Sequence, residues 1–188
     1  MLPILEEPSV RQRAMPVSVE GYHCMMEAGL VSENAELIRG VIVEKMSKSP
    51  LHSFYCKIFL RILSSVAPVG YTVQKEDPLT LKDSEPEPDL AIVPGSEIDY
   101  RSSHPTTALF VMEIATSSER LDREMASIYA EAGVQEYWIV MAQRNCIEVY
   151  HTPVDGIFQS QRAYHAGETI RSVAIHGWTL DLQTVFKS

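Results

Sequence analysis

The segment ALFVMEIA, residues 108–115, constrains the fold more than any other part of the chain. Its apolar residues follow one another almost without interruption, which is typical of a strand covered on both faces. One acid, Glu113, stands inside this apolar run. A carboxylate in such a strand loses much of its hydration, which is costly unless a cation, a metal ion or hydrogen bonds compensate. The segment therefore predicts a buried strand whose acid needs a specific partner.

Composition limits the classes of protein to consider. The chain has 188 residues, within the range of one domain, and a net charge of −9, which counts against a broadly basic DNA-binding surface. Cys24, Cys56 and Cys146 lie far apart without CxxC spacing, so we expect reduced thiols and no zinc site. Because neither a signal-like start nor an apolar run of about 18 residues is present, we expect a soluble, cytoplasmic protein with no membrane contact.

Hydrophobic periodicity predicts a mixed architecture in a single domain, residues 1–188, with residues 1–17 as an extended N-terminal arm. Helices are predicted after Ser18, in LHSFYCKIFLRILSSVA and in SERLDREMASIYAEAG, where Thr116 has capping-box spacing. Strands are predicted in AELIRGVIVEKMS, bent near Gly40, and in YTVQKE, LTL, PDLAIV, LFVMEIA, EYWIVMA, CIEVYHT and the hairpin after them. This order favours the α/β or α+β class, with helices against one mixed sheet.

Two acids can meet if two of these strands are neighbours. Alternation along PDLAIV and LFVMEIA would bring Asp89 and Glu113 to one face of the sheet. Carboxylates held close repel each other, so one is protonated or a divalent cation lies between them, and oxygen ligands suit Mg²⁺ or Mn²⁺. The residues alone leave another interpretation open, in which Glu113 pairs with an arginine or lysine and Asp89 only begins its strand beside Pro88.

The order of several motifs resembles a known bacterial family. AELIRG, LHSFYCKIFLRIL, DPLTLKDSEPEPDLAIV, the long run from LFVMEIA to EYWIV, and IEVYHTP follow one another as in the Uma-type "putative restriction endonucleases". That family is a branch of the PD-(D/E)XK nucleases, and the resemblance extends from Glu36 to the C-terminal LDLQTVF. The run YAEAGVQEYWIV is specific, because Gly133, Glu136, Tyr137 and Trp138 all match. The resemblance implies a restriction-endonuclease-like fold, with a mixed central sheet flanked by helices.

The resemblance also implies site residues and a reaction. Asp89 matches the aspartate of the PD motif and Glu113 the second acid, so both are expected to be ligands of Mg²⁺ or Mn²⁺. Glu36 matches the acid of the early ELIRG element and would hold a second ion or its water. His52 matches a histidine that opens the first long helix and would contact the phosphate or act as a base, although a solvent-facing position is an equal alternative. The implied activity is hydrolysis of DNA phosphodiester bonds.

The chain departs from the family at Met125, which occupies the position of the usual lysine. A thioether supplies neither charge nor a hydrogen-bond donor, so we expect weakened or lost nuclease activity with metal binding retained. Met125 also fits a plain core position, since it shares an apolar helix face with Leu121 and Ile128. Candidate replacement cations are Lys75, Arg120 and Arg123. Helix periodicity, however, puts Arg123 on a different face of its helix from Met125.

Two further expectations concern partners. The missing lysine supports an alternative function, a catalytically inactive nuclease fold that works as a nucleic-acid-binding or assembly module. Nucleases of this superfamily often cut as dimers, so we expect a homodimer, with the EYWIV and IEVYHT strands at the interface.

Tyr137 and Trp138 are interpreted as core residues in preference to a platform for stacking bases.

Overall fold

The computed structural model describes residues 7–11, 13–45, 47–116 and 118–186. The chain divides into two compact units, residues 1–45 with 82–86 and residues 46–81 with 87–188, and each is described by itself. The single domain and the extended arm stay predictions. Residues 1–6 and 12 of that arm lie outside the described residues. No helix in the described ranges is long and apolar enough to cross a membrane.

The first unit is built from two short helices and a hairpin: α1 (Pro8–Arg11), α2 (Val19–Glu27), β1 (Ala35–Ile38) and β2 (Val41–Glu44). The predicted start of α2 is confirmed, because the Ser18 side chain accepts a hydrogen bond from the Gly21 N–H. β1 and β2 are antiparallel, so the predicted bend near Gly40 is a hairpin turn. Gly40 has a φ of +73°, and a Cβ there would lie 2.4 Å from the Pro16 side chain.

The second unit contains the predicted mixed sheet. Its elements are α3 (Pro50–Val66), β3 (Tyr71–Gln74), β4 (Leu90–Pro94), β5 (Phe110–Ala115), α4 (Glu119–Glu131), β6 (Glu136–Met141), β7 (Cys146–Val154), β8 (Ile157–His165), β9 (Thr169–Arg171) and β10 (Thr179–Asp181). Six strands form the sheet in the order β3-β4-β5-β6-β7-β8. β5 and β6 run parallel, and the other neighbours in this sheet are antiparallel. β9 and β10 pair separately.

The predicted strand LTL is wrong, because these residues form a buried loop. Leu79 is 0% exposed and Leu81 is 8% exposed, although neither belongs to a strand. Thr80 donates one backbone hydrogen bond, to the Pro105 carbonyl, in place of a ladder. The apolar signal in LTL therefore reported burial, which a strand and a packed loop share.

Helix α4 is rotated relative to its predicted orientation. It begins after Ser118, whose hydroxyl donates to Asp122 Oδ2 at 2.7 Å, and Ser118 holds the N-cap position predicted for Thr116. The predicted capping box is therefore wrong. Leu121 is 43% exposed, whereas Asp122 and Met125 are 7% and 5% exposed, so the buried face includes an acid where a leucine was expected.

The core lies around the central strand β6, whose six residues are all buried. The Trp138 ring packs edge-on against Phe110, with ring centroids 5.2 Å apart, and stacks on Trp178. Tyr137 and Trp138 are both 0% exposed, which confirms that they are core residues. The predicted dimer contact through EYWIV is wrong, because this strand is covered within its own chain. A homodimer through other surfaces stays a prediction.

The first residue of β6 is a buried acid with four hydrogen-bond donors. Glu136 is 0% exposed. Its Oε1 accepts from Trp138 Nε1 at 2.7 Å. Its Oε2 accepts from the Ser172 hydroxyl at 2.6 Å and from the N–H groups of Val173 and Ala174, both at 2.8 Å. Charge-assisted bonds of this kind compensate for the lost hydration of the carboxylate. Glu136 therefore ties the loop after β9 to the central strand.

Replacement of Glu136 by alanine leaves these donors without their acceptor. We expect Glu136→Ala to lower the free energy of unfolding by about 3 kcal/mol, measured by urea denaturation followed by far-UV circular dichroism. Glu124→Ala, at an exposed acid on α4, is the matched control and should change stability by no more than about 0.5 kcal/mol. Equal stability of the two variants would contradict the anchoring role.

Candidate active site

Asp89 and Glu113 lie side by side on neighbouring strands. β4 and β5 are antiparallel with Leu90 opposite Met112, so the preceding Asp89 comes opposite Glu113. Asp89 Oδ2 accepts a hydrogen bond from the Ile114 N–H at 2.7 Å, and the Asp89 N–H donates to Glu113 Oε2 at 3.1 Å. The backbone of the two strands thus fixes both carboxylates, and the structure brings the two predicted acids together.

His52 joins this pair from the first turn of α3. Ser49 caps the helix by accepting a hydrogen bond from the His52 N–H. The His52 ring is buried, and Nε2 lies 2.8 Å from Asp89 Oδ1. The solvent-facing alternative for His52 is therefore wrong. The other ring nitrogen, Nδ1, is buried and has no hydrogen-bond partner within the described residues. If Nε2 carries the proton toward Asp89, Nδ1 is an acceptor.

The surroundings of Glu113 disfavour its charge. Its side chain keeps a partly exposed surface but lies deep in the protein, and Oε1 accepts a hydrogen bond from the Tyr129 hydroxyl at 2.8 Å. Burial raises the pKa of Glu113 well above its ordinary value, and the negative charges of Asp89 and Asp122 raise it further. The bonds from the Asp89 N–H and the Tyr129 hydroxyl only partly oppose this. Two ionised carboxylates at this place would need a cation.

Sequence reasoning missed two α4 residues at the site, Asp122 and Tyr129. Tyr129 bonds Glu113 directly, and the charge of Asp122 acts on it. The Asp122 carbonyl accepts a hydrogen bond from the Tyr137 hydroxyl at 2.8 Å. Burial, followed by the charges of Glu113 and Asp122, raises the pKa of Tyr137. The seven-residue spacing of Asp122 and Tyr129, two helical turns, was the available signal, because it puts both on one helix face.

Met125 lies on the same buried face of α4, between Asp122 and Tyr129 in the sequence. It is 5% exposed, so an apolar side chain in the interior fills the position that the resemblance assigns to the usual lysine. A thioether at this place supplies no positive charge to the site and donates no hydrogen bond.

The two arginines suggested as replacements are placed differently. Arg123 Nη2 lies 2.7 Å from Glu148 Oε1 and 3.6 Å from Glu119 Oε2, so its charge is already neutralised by acids. The contact with Glu119 is an i,i+4 pair on the helix surface. Arg120 is exposed on the outer face of α4. The structure therefore leaves Lys75 among the three cations that the sequence suggested.

Glu36 belongs to the first unit. It lies on β1, half-buried, opposite Val43 of β2. The next residue, Leu37, is fully buried and its carbonyl accepts a hydrogen bond from the Glu85 N–H at 2.6 Å. The role of Glu36 in holding a second ion stays a prediction.

The donor set of Asp89 and Glu113 fits a hard divalent cation. Each carboxylate oxygen accepts one hydrogen bond from the protein and keeps a second lone pair for a metal. Mg²⁺ is usually bound by one or two carboxylates and completes its shell with water and phosphate oxygens. The described ranges contain no group of three or more His, Cys, Asp or Glu side chains arranged to hold a metal. Asp89 and Glu113 are the two carboxylates that this donor set supplies.

The raised pKa of Glu113 predicts how the metal-free protein responds to pH. The folded protein holds a proton that the unfolded chain releases, starting near the ordinary glutamate pKa of 4.5. Stability conferred by this proton is present at low pH and is lost as pH rises toward the folded pKa. We expect the free energy of unfolding in a chelator to fall over this range in the wild type and to fall less in Glu113→Gln. Urea denaturation at several pH values measures both slopes.

The exposed Glu124 on α4 provides the control for this experiment. Glu124→Gln should keep the wild-type pH dependence, because this substitution leaves the carboxylates of Asp89 and Glu113 unchanged. Identical pH dependence of the wild type and Glu113→Gln would contradict the buried, repelled carboxylate.

Comparisons with known proteins agree with this architecture. The sequence model of the Uma2 family, described as "Putative restriction endonuclease", matches residues 21–183. The fold is similar to the crystal structure of "a putative nuclease belonging to DUF820" from Anabaena variabilis, with 17% identity, 91% of this chain and 98% of that chain covered, and a TM-score of 0.74. No curated protein matches. The predicted resemblance and fold class are confirmed, and this chain belongs to the Uma2 family of restriction-endonuclease-like proteins.

Proposed function

We propose that this protein is a Mg²⁺- or Mn²⁺-dependent endonuclease that hydrolyses phosphodiester bonds of DNA in the cytoplasm. The observation that carries the proposal is the pair of Asp89 and Glu113, joined by a 3.1 Å hydrogen bond across neighbouring strands. Membership of the Uma2 family supports a nuclease. Because one fold hosts many functions, the proposal rests on the chemistry of the carboxylate pair.

The reaction explains why two acids would be kept at such a cost. Hydrolysis of a phosphodiester builds negative charge on the attacking and leaving oxygens. A bound divalent ion polarises the phosphate and lowers the pKa of a water. Asp89 and Glu113 would hold that ion, with their orientations fixed by the Ile114 N–H and the Asp89 N–H. The Tyr129 hydroxyl holds the other oxygen of Glu113.

In this proposal His52 positions Asp89. Its 2.8 Å bond to Oδ1 fixes one carboxylate oxygen, while the Ile114 N–H fixes the other. A base or phosphate contact, which the resemblance also suggested for His52, would need an accessible ring nitrogen, and this residue is only 8% exposed. Fixed orientation of a metal ligand by a neighbouring hydrogen bond is a common way of tuning such sites.

Cleavage of supercoiled plasmid DNA in Mg²⁺ and in Mn²⁺ tests the proposal. We expect the wild type to nick or linearise the plasmid. Glu113→Ala should abolish this, because it removes half of the carboxylate pair. Glu124→Ala, at an exposed acid on α4, should cleave like the wild type. An inactive wild type, or undiminished activity in Glu113→Ala, would contradict the proposal.

One observation favours the alternative, a catalytically inactive module that binds nucleic acid or assembles with partners. Met125 is buried where the family has its lysine. If catalysis has been lost only at this position, the wild type should be silent and Met125→Lys should gain cleavage in the same assay. Circular dichroism of Met125→Lys checks that a buried lysine is tolerated. Activity in the wild type would exclude this alternative.

A homodimer is part of the proposal, since two active sites in one assembly can cut both strands of a duplex in a single binding event. We expect sedimentation velocity to give twice the mass of the chain. A monomer at assay concentrations that still linearises the plasmid would contradict this expectation.

A further inference from the structure

The end of β3 lies next to Asp89, on the side away from β5. β3 and β4 are antiparallel, with Gln74 opposite Ala91. Beyond the strand, the Glu76 N–H donates to the Pro88 carbonyl at 3.1 Å, so the chain stays beside β4 as far as the residue before Asp89. Glu76 has a φ of +58°, a conformation that side-chain-bearing residues rarely adopt and that is common at functional sites.

Contacts of helix α3 also place Glu76 close to Asp89. His52 and Cys56 are one helical turn apart on its buried face. His52 bonds Asp89, and Cys56 Sγ lies 4.0 Å from Glu76 Oε1. Since four residues of α-helix rise about 6 Å, Asp89 and Glu76 contact α3 about one turn apart. Burial and then the charge of Asp89 raise the pKa of the Cys56 thiol to about 11. Glu76 and its partners are therefore neighbours of the acidic pair.

Two lysines share the Glu76 carboxylate. Lys75 Nζ lies 2.6 Å from Oε1, and Lys48 Nζ lies 2.7 Å from Oε2. The group of three, which we call the Glu76 cluster, thus carries one net positive charge. The side chains of Lys75 and Lys48 are 38% and 43% exposed, so a phosphate can reach them. The hydrogen bond to Glu76 raises the pKa of Lys75, and the charge of Asp89 also contributes.

An unsatisfied acceptor lies in the same region. Gln74 Oε1 is buried and has no hydrogen-bond partner among the residues that the structure describes. Gln74 is opposite Ala91, and alternation puts Ala91 on the same side of β4 as Asp89. A buried acceptor is costly without a donor, which a water or an incoming ligand would supply. Gln74 Oε1 can therefore accept a hydrogen bond from a bound water at the end of β3.

We propose that Lys75, held in place by Glu76, supplies the positive charge that Met125 cannot, by donating to the scissile phosphate beside the carboxylate pair. Lys48 keeps Glu76 neutralised when Lys75 turns toward the substrate. Breaking the ion pair between Lys75 and Glu76 costs little free energy, because a partly exposed ion pair contributes little stability. A lysine has three donors and a compact charge suited to oxygens that gain charge in the transition state. This assignment rests on the proposed nuclease function.

The test uses Lys75→Met and Lys75→Arg in the full chain, with two measurements. Single-turnover cleavage of supercoiled plasmid in Mg²⁺ reports catalysis, and titration with Mn²⁺ followed by electron paramagnetic resonance reports metal binding. We expect Lys75→Met to cleave about 100-fold more slowly, the usual effect of losing one group that stabilises transition-state charge. Lys75→Arg should retain part of the rate. Mn²⁺ should bind Lys75→Met as tightly as the wild type or tighter, because a positive charge near Asp89 is removed.

The control is Lys57→Met, at an exposed lysine on α3 that forms no ion pair with any described residue. It should match the wild type in both measurements. If the wild type cleaves and Lys75→Met cleaves equally well, the role of Lys75 is wrong while the proposed function stands. Joint loss of cleavage and Mn²⁺ binding in Lys75→Met would show a structural role and also overturn the assignment. A wild type that does not cleave would contradict the proposed function itself, and the assignment with it.

Discussion

The repulsion between the carboxylates of Asp89 and Glu113 is the constraint on which the rest of the site depends. The two groups are held together by the backbone N–H groups of Asp89 and Ile114, and either carboxylate would lose such a hydrogen bond by moving away. Two neighbouring helices each supply a further donor: α3 contributes His52 and α4 contributes Tyr129. Four hydrogen-bond donors thus point at two neighbouring carboxylates, and such a concentration is typical of a functional site.

Those parts of the candidate site could be predicted that depend on the pattern of neighbouring residues in the sequence. The apolar run around Glu113 identified β5, and alternation predicted that Asp89 would meet Glu113 if the two strands were neighbours. The burial of His52 could not be read in the same way, because its partner is 37 residues away. A histidine in the first turn of a helix gives no local indication of which face will be covered. Contacts of this range depend on the order of strands in the sheet, which periodicity does not specify.

The errors in α4 and LTL have a common physical origin. Hydrophobicity predicted that Leu121 would be buried, but the buried place belongs to Asp122, whose carboxylate bonds Ser118 and whose carbonyl bonds Tyr137. Polar bonds inside the protein thus decided the rotation of the helix. In LTL, burial was predicted correctly and the backbone geometry was not. The pattern of apolar and polar residues predicts which side chains are buried. Hydrogen bonds decide which backbone conformation the buried residues adopt.

Asp89 and Glu113 lie side by side, and buried Met125 occupies the position that the resemblance assigns to a lysine. Binding of a cation by the two acids is the central proposal. Diffraction from crystals grown with Mn²⁺, with an anomalous difference map, tests this most directly. We predict a peak between the carboxylates of Asp89 and Glu113, at about 2.1–2.2 Å from an oxygen of each, as expected for a hard divalent ion. A map without a peak there, with both carboxylates still in their present hydrogen bonds, would contradict the account.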